Sequence, residues 1–179
     1  MGSGSTRVTR HTQSLCQQAR TASKAGSTTV RTGQLEFFIR DTIQSGRPGF
    51  NVTIPHKETV LQYLDETDHL ASGIGAVNTV VNRNGKLIGY NTDVFGCRQA
   101  LEHGGWKTGQ KVVMLGAGGA ARAVIQALHL MHVQQIVLYD LMKDRCTRLK
   151  NVFRQWDDLT IISGSFDNGD LKAHLSDTD

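Results

Sequence analysis

The 179-residue chain contains no apolar run near the roughly 18 residues that a membrane helix needs. It also lacks the charged start and short apolar core of a secretory signal, so the expectation is a cytoplasmic protein without a membrane partner. Cysteine is scarce: Cys16, Cys97 and Cys146 are odd in number, far apart and without CxxC spacing. That pattern indicates neither a disulfide framework nor a zinc site, and it leaves three ordinary thiols and no expected metal. Charge imbalance is small, with 20 basic against 16 acidic residues. The pI near 9.1 is weak evidence for an anionic partner, and a phosphate-bearing cofactor satisfies it without nucleic acid. What is present is ordinary for a globular chain: 39% hydrophobic and 20% charged residues, enough for one domain or two small ones.

Acidic residues are absent before Glu36, whereas Arg7, Arg10, Arg20, Lys24 and Arg31 are scattered among serines and threonines. This segment reads as a leader, either disordered or divergent from the rest. Its composition is also that of an organelle-directing segment or an appended tag, although its apolar residues are too sparse for a convincing amphipathic helix. From Gln34 to Ile43, apolar residues fall near helical spacing, and Ser45-Gly46-Arg47-Pro48-Gly49 ends the element. Residues 50–54 alternate like a strand, with Asn51 and Thr53 on one face and Pro55 as its stop. Residues 57–70 read as one amphipathic helix. Two strands, 76–81 and 86–90, flank an Asn84-Gly85 turn as a hairpin. A helix over 95–103 then leads to the break at Gly104-Gly105. Beyond it, strand and helix alternate: strand 111–115, helix 120–132, strand 135–139, helix 143–156 and strand 159–163. The fold class expected is α/β.

The turn Gly116-Ala117-Gly118-Gly119-Ala120-Ala121 matches the GxGxxG/A fingerprint, between a hydrophobic strand and a helix. There the backbone N–H groups and the positive end of the helix face a pyrophosphate, although such a turn also occurs for close packing alone. Asp140 closes the next strand near the roughly 20-residue spacing of a carboxylate that holds a ribose diol. This argues for NAD. Lys143 and Arg145 keep NADP open, and a solvated loop aspartate is the plain alternative.

A nicotinamide needs a substrate carbon that exchanges hydride and a side chain that moves the hydroxyl proton. Lys57, just past Pro55, and Asp93, after Tyr90-Asn91-Thr92, are a lysine-carboxylate pair of that kind. Asn51, Thr53 and Asn78 supply polar groups at strand ends. Each also has an ordinary reading: Lys57 as a solvated lysine at a helix start, Asp93 as an N-cap and Asn78 as a turn residue.

Four segments together narrow these alternatives. Asn51-Val52-Thr53-Ile54-Pro55-His56-Lys57, Ile74-Gly75-Ala76-Val77-Asn78-Thr79, Gly89-Tyr90-Asn91-Thr92-Asp93-Val94-Phe95-Gly96 and Leu115-Gly116-Ala117-Gly118-Gly119-Ala120-Ala121-Arg122-Ala123 resemble, in order and spacing, the shikimate/quinate dehydrogenase family. The resemblance covers about residues 49–165. It implies an N-terminal α/β substrate-binding domain over 34–103, after a leader over 1–33, and a partial Rossmann dinucleotide-binding domain over 104–179. It also implies reversible oxidation of a ring hydroxyl of shikimate or quinate to the 3-dehydro ketone. By position, Lys57 is the acid/base and Asp93 its partner and a substrate ligand. Asn78, Thr53 and Asn51 line the substrate cleft. The turn Gly116, Ala117, Gly118, Gly119, Ala120 and Ala121 carries the cofactor with Asp140, whose acidic side chain resembles the NAD-using branch.

The chain departs from the family pattern in two places. Ser14-Leu15-Cys16 stands where a Ser-Leu-Ser type motif binds the substrate carboxylate, so Ser14 is the one serine of that motif present. The family's Asn-Ala-Thr-Pro type motif and later strands have no counterpart, and an inactive or purely nucleotide-binding relative is therefore an alternative reading. Folate-linked dehydrogenases are a more distant one, disfavoured by Asn78 and Asn91-Thr92-Asp93.

Overall fold

The structure, a computed structural model, describes residues 28–106, 109, 111–166 and 169–176. The leader reading thus lies outside the described residues as far as residue 27, and with it Ser14. The chain divides into two compact units between Thr92 and Asp93, where the sequence reading puts the division at 103/104.

In the first unit, helix α1 (Leu35–Gln44) buries Leu35, Ile39 and Thr42 on one side. Phe37 points away and is 77% exposed, whereas Phe38 packs edge-on against Phe50, with ring centroids 5.1 Å apart. After Gly49 the chain forms a strand of only three residues, β1 (Gly49–Asn51), shorter than the alternation at 50–54 predicts. Val52 already turns from strand pairing to donate to the Asn78 carbonyl, and a turn closes from the His56 N–H to the Thr53 carbonyl. Thr53 therefore lies outside the strand and shares no pleated face with Asn51.

The single helix expected over 57–70 is three elements instead. A 3₁₀ turn (Thr59–Tyr63) buries Val60, β2 (Glu66–Thr67) follows, and helix α2 (His69–Ile74) starts afresh. The break has identifiable causes. Asp65 and Leu87 exchange bonds, with the Leu87 N–H donating to the Asp65 carboxylate at 2.7 Å and the Asp65 N–H to the Leu87 carbonyl at 3.0 Å. Asp68 then caps α2 by accepting from the Ala71 N–H at 2.8 Å, as aspartate prefers to do at a helix start.

The hairpin forms around the expected turn. Strands β3 (Thr79–Arg83) and β4 (Lys86–Tyr90) pair antiparallel, with Asn84 and Gly85 both at positive φ, the geometry that a two-residue hairpin turn requires. Strand order in this sheet is β1-β3-β4-β2, and β2 alone runs parallel to its neighbour. Leu35, Ile39, Val52, Val60, Ala71, Val77, Val80 and Leu87 form one buried cluster.

The second unit opens within helix α3 (Thr92–His103). Strands β5 (Lys111–Leu115), β6 (Gln135–Tyr139) and β7 (Thr160–Ser163) form a parallel sheet with β6 in the middle. Helices α4 (Ala121–Leu130) and α5 (Lys143–Val152) connect them, and α6 (Asp170–Ser176), which no sequence signal suggested, follows β7. Parallel strands need such helical crossovers, and β6 is accordingly apolar and almost wholly buried. Tyr139 is fully buried beneath Gly164, where a side chain would strike its ring, and its hydroxyl donates to Asp170 at 3.1 Å. No described helix is long and apolar enough to cross a membrane.

Candidate functional site

Asn78 sits between the buried Val77 and the start of β3, and it is itself 8% exposed. A buried amide needs partners for its oxygen and its NH₂ group, and the local fold supplies them. Its backbone N–H donates to the Tyr90 carbonyl at 3.0 Å, and its carbonyl accepts from the Val52 N–H at 2.8 Å. The side-chain Oδ1 accepts from the Thr92 N–H at 2.9 Å and from the Thr79 hydroxyl at 3.0 Å, while Nδ2 donates to Thr92 Oγ1 at 3.1 Å. Next to it, the Val77 N–H donates to the Lys57 carbonyl at 2.8 Å. Three of the four sequence segments thus meet at one residue.

The consequence for the expected site is specific. Asn51 stands opposite Thr79 in the ladder, with Asn51 Oδ1 at 3.4 Å from the Thr79 hydroxyl. Thr53 follows Val52 directly and is exposed, and Lys57 is half-buried on the turn after the cis Ile54–Pro55 bond. Thr92 is tied to Asn78, and the next residue, Asp93, lies in the first turn of α3. Backbone bonds thus tie the segment that carries Asn51, Thr53 and Lys57 to Asn78 and its neighbours Val77 and Thr79. Sequence reasoning did not single out Thr92 and Thr79, although each neighbours a chosen residue.

The end of β4 is braced from below. The Asn91 side chain donates to the Ala76 carbonyl at 2.9 Å, and the Asp68 carboxylate accepts from the Asn91 and Ala71 N–H groups. Burial raises the Asp68 carboxyl above the ordinary aspartate value, against the lowering effect of these bonds and of nearby His69.

In the second unit, the glycine-rich turn leaves β5 with Gly116 at φ +104, a conformation L side chains rarely adopt. Gly118 is different: a Cβ there would meet nothing within 4 Å, and its φ is not in the left-handed region. Neither packing nor backbone therefore demands glycine at 118, and the turn is open to solvent there. Helix α4 begins at Ala121, its N-cap residue Ala120 offers no side-chain cap, and its first turn has no acidic residue but carries Arg122. That charge pattern is the reverse of what the helix dipole favours unless an anion is bound. Gly118, Gly119 and Ala120 are exposed and Gly116, Ala117 and Ala121 adjoin them, so the turn fits a pyrophosphate group.

Asp140 lies just beyond β6. Its Oδ2 accepts from the Ala117 N–H and its Oδ1 from the Met142 N–H, both at 2.8 Å. These two bonds hold its carboxyl below the ordinary aspartate value, with Arg145 adding to the effect. Among the described residues, no cluster of histidine, cysteine or carboxylate side chains has the arrangement of a metal site.

Comparison with known proteins places this geometry among relatives. Residues 8–80 match the family model described as the shikimate dehydrogenase substrate binding domain. The chain is 46% identical over 121 residues to an NADP(+) shikimate dehydrogenase of Symbiobacterium thermophilum, covering 67% of this chain and 41% of that protein. Among solved structures it is similar to shikimate 5-dehydrogenase from Listeria monocytogenes in complex with shikimate and NAD, at 28% identity and a TM-score of 0.75, covering 84% of this chain and 54% of that one. A second is quinate dehydrogenase from Corynebacterium glutamicum in complex with NAD, at 32% identity and a TM-score of 0.67, covering 79% and 50%. The chain thus spans about two fifths to half the length of the relatives it matches.

Proposed function

The chain belongs to the shikimate/quinate dehydrogenase family, and from that premise we propose that it carries the substrate-binding and dinucleotide-binding parts of an enzyme that reversibly oxidises a ring hydroxyl of shikimate or quinate. The observation that carries the reading is the convergence of the Asn51-to-Lys57 and Asn91-Thr92 segments on buried Asn78 and its neighbour Val77, which donates to the Lys57 carbonyl. In this reading the Lys57 ammonium-amine couple takes the hydroxyl proton during oxidation and returns it during reduction, with Asp93 as its partner and as an acceptor for substrate hydroxyls. Asn78, Thr53 and Asn51 hold the remaining hydroxyls, and Ser14 contributes to the carboxylate end.

Residues 116–121 would hold the pyrophosphate, and Asp140 would accept from the adenosine ribose. NAD is the cofactor that a carboxylate at this position favours, and Lys143 and Arg145 are the cations that would serve NADP. When bound, the nicotinamide supplies the hydride acceptor. Lys57 provides the matching proton acceptor, so that a ketone forms without charge accumulating on the oxygen.

The test is absorbance of reduced nicotinamide after mixing the 179-residue chain with shikimate or quinate and either NAD or NADP, with Lys57→Ala as control and circular dichroism to establish folding. A Lys57-dependent signal is expected. Dinucleotide binding without turnover in a folded chain would assign it a purely binding role, and absence of both would overturn the reading.

A further inference from the structure

The sheet ladder between β5 and β6 runs out just before the glycine-rich turn. Leu115 pairs with Tyr139, and the Gly116 N–H still reaches the Tyr139 carbonyl at 2.6 Å. The chain then swings out at Gly116, and the Ala117 N–H has no strand to donate to. Asp140 meets it with Oδ2 at 2.8 Å, while its Oδ1 is held by the Met142 N–H at 2.8 Å. One carboxylate therefore bridges the turn and the segment that leads into α5. Both bonds are charge-assisted, the stronger class of hydrogen bond. The start of α4 adds no side-chain cap that would hold the turn from its other side.

We propose that Asp140 is a positioning residue whose carboxylate latches the glycine-rich turn in its phosphate-accepting shape, so that one side chain governs both the turn and the choice between NAD and NADP. The latch is a property of the ligand-free chain, whereas its effect on cofactor choice rests on the functional reading above. A carboxylate offers about four lone-pair sites, and the two N–H groups use half of them. The other half would serve a ribose diol as acceptors. A 2′-phosphate meets the same negative charge, with Arg145 as the nearby counterweight. Reading the ribose and shaping the turn are then coupled, and a substitution that admits NADP also loosens the turn.

The test separates the two roles by ligand chemistry. Wild type, Asp140→Asn and Asp140→Ala are titrated calorimetrically, as the whole chain, with NAD, with NAD lacking the 2′-hydroxyl of its adenosine ribose, and with NADP. Amide exchange at Ala117 and Met142 is followed by NMR without ligand. We expect Asp140→Ala to weaken NAD and its 2′-deoxy analogue alike, by about tenfold or more, as the loss of a charge-assisted bond implies. Affinity for NADP relative to NAD rises, and exchange at Ala117 speeds up by a similar factor. Asp140→Asn, which keeps one acceptor oxygen, falls between and guards against a variant that does not fold.

Unchanged affinity for the 2′-deoxy analogue alongside weakened NAD would reduce Asp140 to a ribose reader and overturn the latch, as would unchanged Ala117 exchange. An unchanged NADP to NAD ratio would overturn the coupling. If wild type binds no dinucleotide, the functional reading and the coupling fail together, and exchange at Ala117 still decides the latch.

Discussion

Replacing Asn78 by alanine removes the acceptor of the Thr92 N–H at 2.9 Å and the donor to Thr92 Oγ1 at 3.1 Å. It also removes an acceptor of the Thr79 hydroxyl, which has Asn51 Oδ1 at 3.4 Å to turn to and is not stranded. Two net hydrogen bonds at about 1 kcal/mol each, plus about 1–2 kcal/mol for the Thr92 N–H left short of its partner, give a loss of roughly 3–4 kcal/mol. With a urea slope of about 1–3 kcal/mol/M, the transition of the first unit moves down by about 1–4 M. The assay has a built-in spatial readout. Both tryptophans, Trp106 and Trp156, belong to the second unit, whereas far-ultraviolet circular dichroism reports on both units. Asn78→Ala should therefore shift the dichroism transition while the tryptophan fluorescence transition stays near its wild-type midpoint. Thr92→Val, which keeps the backbone bond, should cost about 1 kcal/mol, and the double variant should lose about 1 kcal/mol less than the sum. A loss below about 0.5 kcal/mol for Asn78→Ala, or strict additivity with Thr92→Val, would refute the role of Asn78 as the residue that ties these segments.

Three further outcomes are expected. Gly118→Ala should leave urea stability unchanged or raise it by about 0.4–1 kcal/mol, since the added methyl meets nothing and restricts the unfolded chain, while dinucleotide titration shows weakened binding. Gly164→Ala should destabilise by about 1–3 kcal/mol in fluorescence-detected unfolding, because its Cβ runs into the buried Tyr139 ring. For Asp68, burial makes the folded state bind the proton more tightly than the unfolded chain, so stability is gained as pH falls through the raised value toward the ordinary 3.8. Asp68→Asn abolishes this titration, and urea midpoints measured from pH 7 down to pH 4 should show wild type gaining on the variant; a constant difference would contradict it.

Much of the second unit was legible in the sequence because its signals are local. A run such as Val112-Val113-Met114-Leu115 followed by a glycine-rich turn states strand, turn and helix within one window, and β5, the turn and α4 appear there. The Asn84-Gly85 turn was legible for the same reason. The segment 57–70 was not, because its apolar spacing suits a helix and what breaks it lies far away in sequence: the edge of β4, to which Glu66–Thr67 pairs, and the Leu87 backbone, which Asp65 engages. The short β1 is a similar case, since Val52 leaves the strand for the Asn78 carbonyl. At the site, chemistry-bearing side chains could be chosen from motif order, but Thr92 and Thr79 carry no signal of their own. Their role comes from the amide they surround.

That amide also bears on how the protein assembles. The bonds at Asn78 close chain loops that begin at Val52 and end at Thr92, and Val77 closes another back to Lys57. Loop closure carries an entropic cost that is recovered only once both ends are in place. No single hairpin or helix, however early it forms, holds the candidate site. The site comes into being with the last of these closures and is lost with the first to open, so its integrity follows the cooperative state of the entire first unit. Fluctuations that open any one closure would interrupt function before they register as unfolding.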